Sequence, residues 1–193
     1  MTTSFFTRSE LEQLGLKHVG NNVLISRKAS IYGANKIVIG NNVRIDDFCI
    51  LSGRITFGNN IHLAAYSAMY GGEAGIIIHD FANISSRVCI YAISDDYSGR
   101  TMTNPTIPEK YKHIQNEKVI IGKHVIIGSG STVLPGVTIE EGAALGAMTM
   151  LKYSTKPWTI YVGVPAKELK ERKRELLELE ADYIKQGDQE HKN

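Results

Sequence analysis

The chain has 193 residues, a formal net charge of +2, and 42% apolar against 22% charged residues. That excludes a disordered polypeptide and gives no sign of the concentrated basic face that binds nucleic acid polymers. The 23 Ile and 11 Val outnumber the 13 Leu and are joined by 18 Gly, so strands and turns should dominate over a helical bundle. Cys49 and Cys89 make no disulfide framework, and no apolar run approaches the roughly 20 residues of a membrane span. The start, MTTSFFTRSE, lacks the regions of a signal peptide, so the cytoplasm is the expected location.

Thr7-Arg8-Ser9-Glu10 and Ser9-Glu10-Leu11-Glu12 both have the spacing of a capping box. They predict a short helix ending near Gly15, within an N-terminal cap of residues 1–18. Large apolar residues then recur every six positions. One ladder runs Ile39, Ile45, Leu51, Phe57, Leu63, Met69, and another Ile121, Ile127, Val133, Ile139, Leu145, Leu151. Shorter ones are Val19, Ile25, Ile31, Ile37 and Ile78, Ile84, Ile90. Four residues after a ladder position stands a second inward group, such as Cys49 or Ser131.

A period of six fits neither the 3.6 of a helix nor the 2 of a strand. Each hexad is a short strand plus a bend, and three hexads close one coil: Gly40 to Gly58 is 18 residues, as is Gly122 to Glu140. Asn and Gly are expected at the bends. The chain therefore reads as all-β, a parallel β-helix of roughly six coils over residues 19–165 whose coils satisfy one another's backbone groups.

Two stretches break the period. Gly71-Gly72-Glu73-Ala74-Gly75 is small, whereas residues 93–118 are polar, contain Pro105 and Pro108, and form an external loop. Long ordered excursions of this kind carry function. After Pro165, Leu169, Leu176, Leu177, Ala181 and Ile184 lie at helical spacing opposite a charged face. They predict a C-terminal α-helix and tail over residues 166–193.

The hexads, the 18-residue coil, the external loop and the ending Gly163-Val164-Pro165-Ala166-Lys167 together resemble the left-handed β-helix acyltransferases. These are hexapeptide-repeat enzymes that use acetyl-CoA. The combination of SDDYSG (94–99), NPTIP (104–108) and KPWTIYVGVPAK (156–167) is most similar to their nucleotide-sugar N-acyltransferases. The resemblance implies a left-handed parallel β-helix, a homotrimer, and acetyl-CoA as acyl donor along the C-terminal coils. Its pantetheine would run near Gly128, Ser129, Gly146 and Ala147. Lys152, Lys156, Lys167 and Lys170 would meet its phosphates, with Trp158 or Tyr161 beside the adenine. The implied acceptor is the amino group of a nucleotide-linked amino-deoxy sugar, such as dTDP-4-amino-4,6-dideoxy-D-glucose, destined for O-antigen or a related surface polysaccharide. No metal, membrane or nucleic acid polymer is expected as a partner.

Acyl transfer from a thioester to an amine needs a neutral nitrogen held near the carbonyl and a donor for the developing oxyanion. Sugar O-acetyltransferases of the same fold carry a catalytic histidine in the excursion. Here the matching place reads Ile93-Ser94-Asp95-Asp96-Tyr97, which favours an amine over a hydroxyl acceptor. Asp95 and Asp96 are the expected catalytic residues, binding the sugar ammonium and accepting its proton; capping a loop through Asx turns is their structural alternative. Tyr97, Tyr111, His113 and His79 are the expected substrate contacts. A γ-type carbonic anhydrase would need three histidines around one zinc, and the histidines here are scattered.

Overall fold

The computed structural model describes residues 4–190; residues 1–3 and the expected tail at 191–193 lie outside the described residues. Helix α1 (Arg8–Gln13) opens on the first of the two capping boxes. Thr7 Oγ1 accepts the Glu10 N–H, and Glu10 Oε2 accepts the Thr7 N–H at 2.7 Å. Arg27 donates to the same carboxylate at 2.6 and 2.8 Å, and this pairing is the chief cause that holds Glu10 at a pKa of about 2.

The hexads fold into six coils whose strands pair in parallel from coil to coil along three faces. The first face stacks His18–Val19, Ile37–Ile39, the end of Ile50–Phe57, the end of Ala68–Ile78, Val119–Ile121 and Thr138–Ile139. The second stacks Leu24–Ile25, Val43–Ile45, Ile61–Leu63, Asn83–Ile84, Ile126–Ile127, Ala144–Leu145 and Thr159–Val162. The third stacks Ser30–Tyr32, the starts of the two long strands, Cys89–Tyr91, Thr132–Val133 and Met150–Leu151. Those long strands run through a bend, and the Gly-rich insertion appears as a register shift between Gly53↔Gly72 and Ile55↔Ile76.

Ladder residues fill the interior: those from Ile121 to Leu151 are at most 3% exposed. Each such side chain contributes roughly 1.5–3 kcal/mol through burial. The smaller inward set is buried as well. Ser131 is satisfied there, donating to Gly146 O at 3.1 Å and accepting the Thr149 N–H at 3.2 Å. Burial pushes the Cys49 thiol up to about 11. Iodoacetamide at pH 8 should therefore leave Cys49 unmodified until the protein is unfolded, as read by mass spectrometry of its peptide. Alkylation in the native state at the unfolded rate would contradict this packing.

The bends differ from expectation. Left-handed backbone recurs three residues after the ladder, and Asn22, Asn42, Asn60 and Gly142 hold it at the first bend as expected. The amides form a ladder there, Asn22 donating to Asn42 at 2.9 Å and Asn42 to Asn60 at 3.1 Å. Phe81, His124 and Trp158 occupy the same column, and the bend between the second and third faces uses Phe48, Tyr66, Arg87 and Met148. Hydrogen bonding between stacked coils imposes the dihedral on whatever residue stands there.

The external loop leaves the prism after Tyr91 and returns at Val119, with Ile93–Asp95 pairing antiparallel to Ile114–Asn116. The C-terminal segment departs from expectation. Lys167–Glu171 is a strand paired antiparallel to Thr159–Val162, and helix α2 (Leu176–Glu190) begins only afterwards. The incomplete last coil leaves Thr159–Val162 as an open edge with unpaired backbone groups, and the returning strand satisfies them. Helix α2 then lies back along the first bend. Glu180 binds Lys123 at 2.5 Å and His124 at 2.8 Å, and Tyr183 donates to Asn60 at 3.2 Å. Burial pushes the Glu180 carboxyl up, but the hydrogen bonds from Lys123 and His124 outweigh that and hold it low. No helix among the described residues is long and apolar enough to cross a membrane.

Candidate active site

Between the external loop and the third face lies a cavity of about 1060 Å³. Outward residues of successive coils form its floor. Tyr70 and Tyr91 are register partners on adjacent coils, so their rings stack with centroids 5.1 Å apart and planes 12° apart. Thr132, Leu134 and Lys152 continue the floor towards the C-terminal coils. The loop supplies the wall, including Asp95, Tyr97, Asn104 and Lys112. Burial, with Cys89 adding to it, pushes the Tyr91 hydroxyl up to about 12, so Tyr91 stays a neutral hydrogen-bond donor at physiological pH.

The two adjacent aspartates separate. Asp96 is engaged inside the loop: Oδ1 accepts the Ser98 N–H at 2.8 Å, and Oδ2 accepts the Thr101 N–H at 3.1 Å and hydroxyl at 2.9 Å. Hydrogen bonds from Ser98 first, then Thr101, hold its carboxyl well below the usual carboxylate range. Asp96 is thus the Asx-turn residue that shapes the loop, and it is a poor proton acceptor. Asp95, one residue earlier on the strand, lines the cavity, and its carboxylate accepts no hydrogen bond from a described residue. Asp95 is the last residue of the strand Ile93–Asp95, whereas Asp96 begins the turn that its own carboxylate closes.

Of the other expected contacts, Tyr97 and Lys152 join Asp95 at the cavity, whereas Tyr111, His113 and His79 do not line it. Tyr111 is exposed, with Lys110 Nζ 4.7 Å from its ring, and His79 sits in the first bend. Gly128, Ser129, Gly146 and Ala147 share the bend between the second and third faces on successive coils. A Cβ on Gly128 would lie 2.5 Å from Ala147 N, so coil stacking already demands glycine there. Lys156 is paired with Glu168 at 2.8 Å. Trp158 is 7% exposed, packs over Gly142 and carries Arg174 5.5 Å from its ring, so it is a packing residue of the chain's own last coil. Lys167 and Lys170 are exposed on the terminal strand and do not line the cavity.

Sequence reasoning missed Tyr70, Tyr91 and Lys112. The tyrosines were open to discovery, since both follow a ladder residue directly and so face outward one coil apart. Lys112 had no such signal. Its side chain is 3% exposed with Nζ 2.9 Å from Glu109, a placement that depends on how the loop closes.

The bacterial transferase hexapeptide (six repeats) family matches residues 118–152, the coils after the loop. The dTDP-4-amino-4,6-dideoxy-D-glucose acyltransferase of Escherichia coli is 50% identical over 93% of this chain and 95% of its own length. AntD, an N-acyltransferase from Bacillus cereus solved with dTDP and 3-hydroxybutyryl-CoA, is 55% identical with a TM-score of 0.94, covering 97% of this chain and 100% of that one. A serine-to-alanine variant of AntD, solved with dTDP-4-amino-4,6-dideoxyglucose and coenzyme A, aligns equally well at a TM-score of 0.94 over 96% of this chain and 100% of its own. With repeat, coil geometry and near full-length identity in agreement, this chain belongs to the hexapeptide-repeat acyltransferases.

Proposed function

We propose that this chain transfers an acyl group, acetyl in the first instance, from coenzyme A to the 4-amino group of dTDP-4-amino-4,6-dideoxy-D-glucose. The product would be an amide-bearing sugar nucleotide for O-antigen or related surface polysaccharide, made in the cytoplasm by a homotrimer. The reading is supported by the named activity of the E. coli relative and by the ligands held by AntD.

The observation that carries the chemistry is the unpartnered Asp95 carboxylate beside an Asp96 that is already engaged. An amino sugar arrives as an ammonium, which an open carboxylate attracts and deprotonates. The freed nitrogen attacks the thioester carbonyl, and the tetrahedral intermediate collapses with loss of the thiolate. The second nitrogen proton passes to that sulfur, leaving an amide and free coenzyme A. The unattached face of the acyl oxygen needs a donor, and the Tyr91 hydroxyl or a coil N–H at the cavity floor can serve. The coenzyme is proposed to run beside Ser129 and Ala147, with Lys152 the one expected phosphate contact that also borders the cavity.

Free thiol should appear when the protein is mixed with acetyl-CoA and dTDP-4-amino-4,6-dideoxy-D-glucose. It should be absent with the 4-hydroxy analogue and much slower with UDP-amino sugars. No thiol release from any amino sugar would overturn the reading. Light scattering should give three times the 21.3 kDa chain mass.

A further inference from the structure

We propose that the Gly-rich insertion of coil three is the seat on which the root of the external loop is clamped, which makes Gly72 and Asn116 positioning residues for Asp95. This rests on the acyl-transfer reading above.

The chain departs from the hexad at residues 71–75 and 93–118, and the prism brings the two departures together. Both leave the bend between the third and first faces, one coil apart, since Tyr70 is the register partner of Tyr91 and Ile76 that of Val119. The root of the loop is the antiparallel pair Ile93–Asp95 and Ile114–Asn116, in which Ile93 faces Asn116 and Asp95 faces Ile114. Asn116 Oδ1 accepts the Ala74 N–H at 3.0 Å, joining that root to the insertion. Gly72 has a φ of 53°, and a Cβ on it would overlap the Ile93 Cγ2 methyl and stand 2.9 Å from Asn116 Oδ1. Glycine is needed there for the close approach of the loop as well as for the left-handed backbone.

The seat is itself fixed from coils one and two. Glu73 pairs with Lys36 at 2.5 Å, and its carbonyl accepts the Arg54 Nε–H at 3.0 Å. From the other side, the Gly136 N–H of coil five donates to Glu117 O at 3.3 Å, just past the root. Asp95 depends on this support, because its carboxylate accepts no hydrogen bond from a described residue. The backbone of the root alone sets its place at the cavity. A proton acceptor must stand within hydrogen-bond reach of the amine, and a shift of about 1 Å can cost about a hundredfold in rate.

Gly72→Ala and Asn116→Ala test this by thiol release at saturating acetyl-CoA and dTDP-4-amino-4,6-dideoxy-D-glucose. Each should lower kcat about tenfold to a hundredfold and leave both KM values within about threefold of wild type. Asn116→Ala should move Tm by less than about 4 °C, the scale of one lost hydrogen bond in a chain of this size. Asn116→Asp keeps the acceptor for the Ala74 N–H and loses no bond to a described residue, so it should restore kcat to within about threefold. The loss from Gly72→Ala should shrink by at least about threefold in an Ile93→Ala background, where the methyl it strikes is gone.

A kcat near wild type in both alanine variants overturns the inference and leaves the acceptor reading intact. A kcat loss that neither Asn116→Asp nor Ile93→Ala relieves is a general structural effect and also overturns it. So does a raised KM with kcat unchanged, which would assign the seat to substrate binding. A wild-type chain that releases no thiol with any amino sugar overturns the acceptor reading and this inference together.

Discussion

Asp95→Asn lowers kcat for acyl transfer by about two to four orders of magnitude, the usual scale of a lost proton acceptor. The substitution keeps the shape of the side chain and removes only the charge. The Asp95 carboxylate also has no hydrogen bond with a described residue to lose, so the fold should be unaffected. Asp96→Asn should behave differently. Its Oδ2 receives both the Thr101 N–H and hydroxyl, and an amide nitrogen there cannot accept either. The loop should loosen, raising KM for the sugar nucleotide and protease sensitivity near residues 96–101, while kcat falls less than about tenfold. A kcat for Asp95→Asn within fivefold of wild type would remove it from the mechanism. A large kcat loss confined to Asp96→Asn would exchange the two roles.

Phe57→Ala destabilises the protein by about 3–5 kcal/mol. Phe57 is 1% exposed and its strand pairs with the coils on both sides, so the cavity left behind cannot close without unstacking backbone. For a chain of this size that loss lowers Tm by roughly 6–20 °C. Phe57→Leu should cost less than about 1.5 kcal/mol. Nine residues earlier, Phe48→Asn should cost less than about 1.5 kcal/mol, the scale of its stack on Tyr66, since its ring is half exposed and asparagine suits its backbone better. Urea titration of the three variants checks the series. A loss below 1 kcal/mol for Phe57→Ala would mean the interior is far softer than its packing implies.

Much of the fold could be read before any coordinates, because a ladder residue such as Ile127 has one possible place, inside the prism. The bends were harder. Asparagine and glycine signal a left-handed residue through their own preference, but Phe48 or Arg87 adopts it only because neighbouring coils dictate it. The strand at Lys167–Glu171 was hidden for the opposite reason. Its Lys-Glu-Leu-Lys-Glu pattern favours a helix locally, and only the open edge of the last coil converts it. At the site, the sequence marked the Asp95–Asp96 pair, yet nothing in it says which carboxylate the loop will use for its own turn. Trp158 carried the composition of a ligand contact; its ring packs over Gly142, a role in the last coil that the sequence did not signal.

A stack in which each coil touches only its neighbours should unravel from an open end one layer at a time. Helix α2 changes that sequence of events. Anchored after the last coil by Arg172, which donates to His124 O at 2.7 Å and Gly142 O at 2.9 Å, it reaches down to Asn60 in coil three. Peeling the C-terminal layers first requires detaching the helix from coils three to five, so the terminus is tied into the cooperative unit formed by the middle of the prism. Hydrogen exchange in coils five and six should then track that of coils three and four, and the N-terminal coil should fray first.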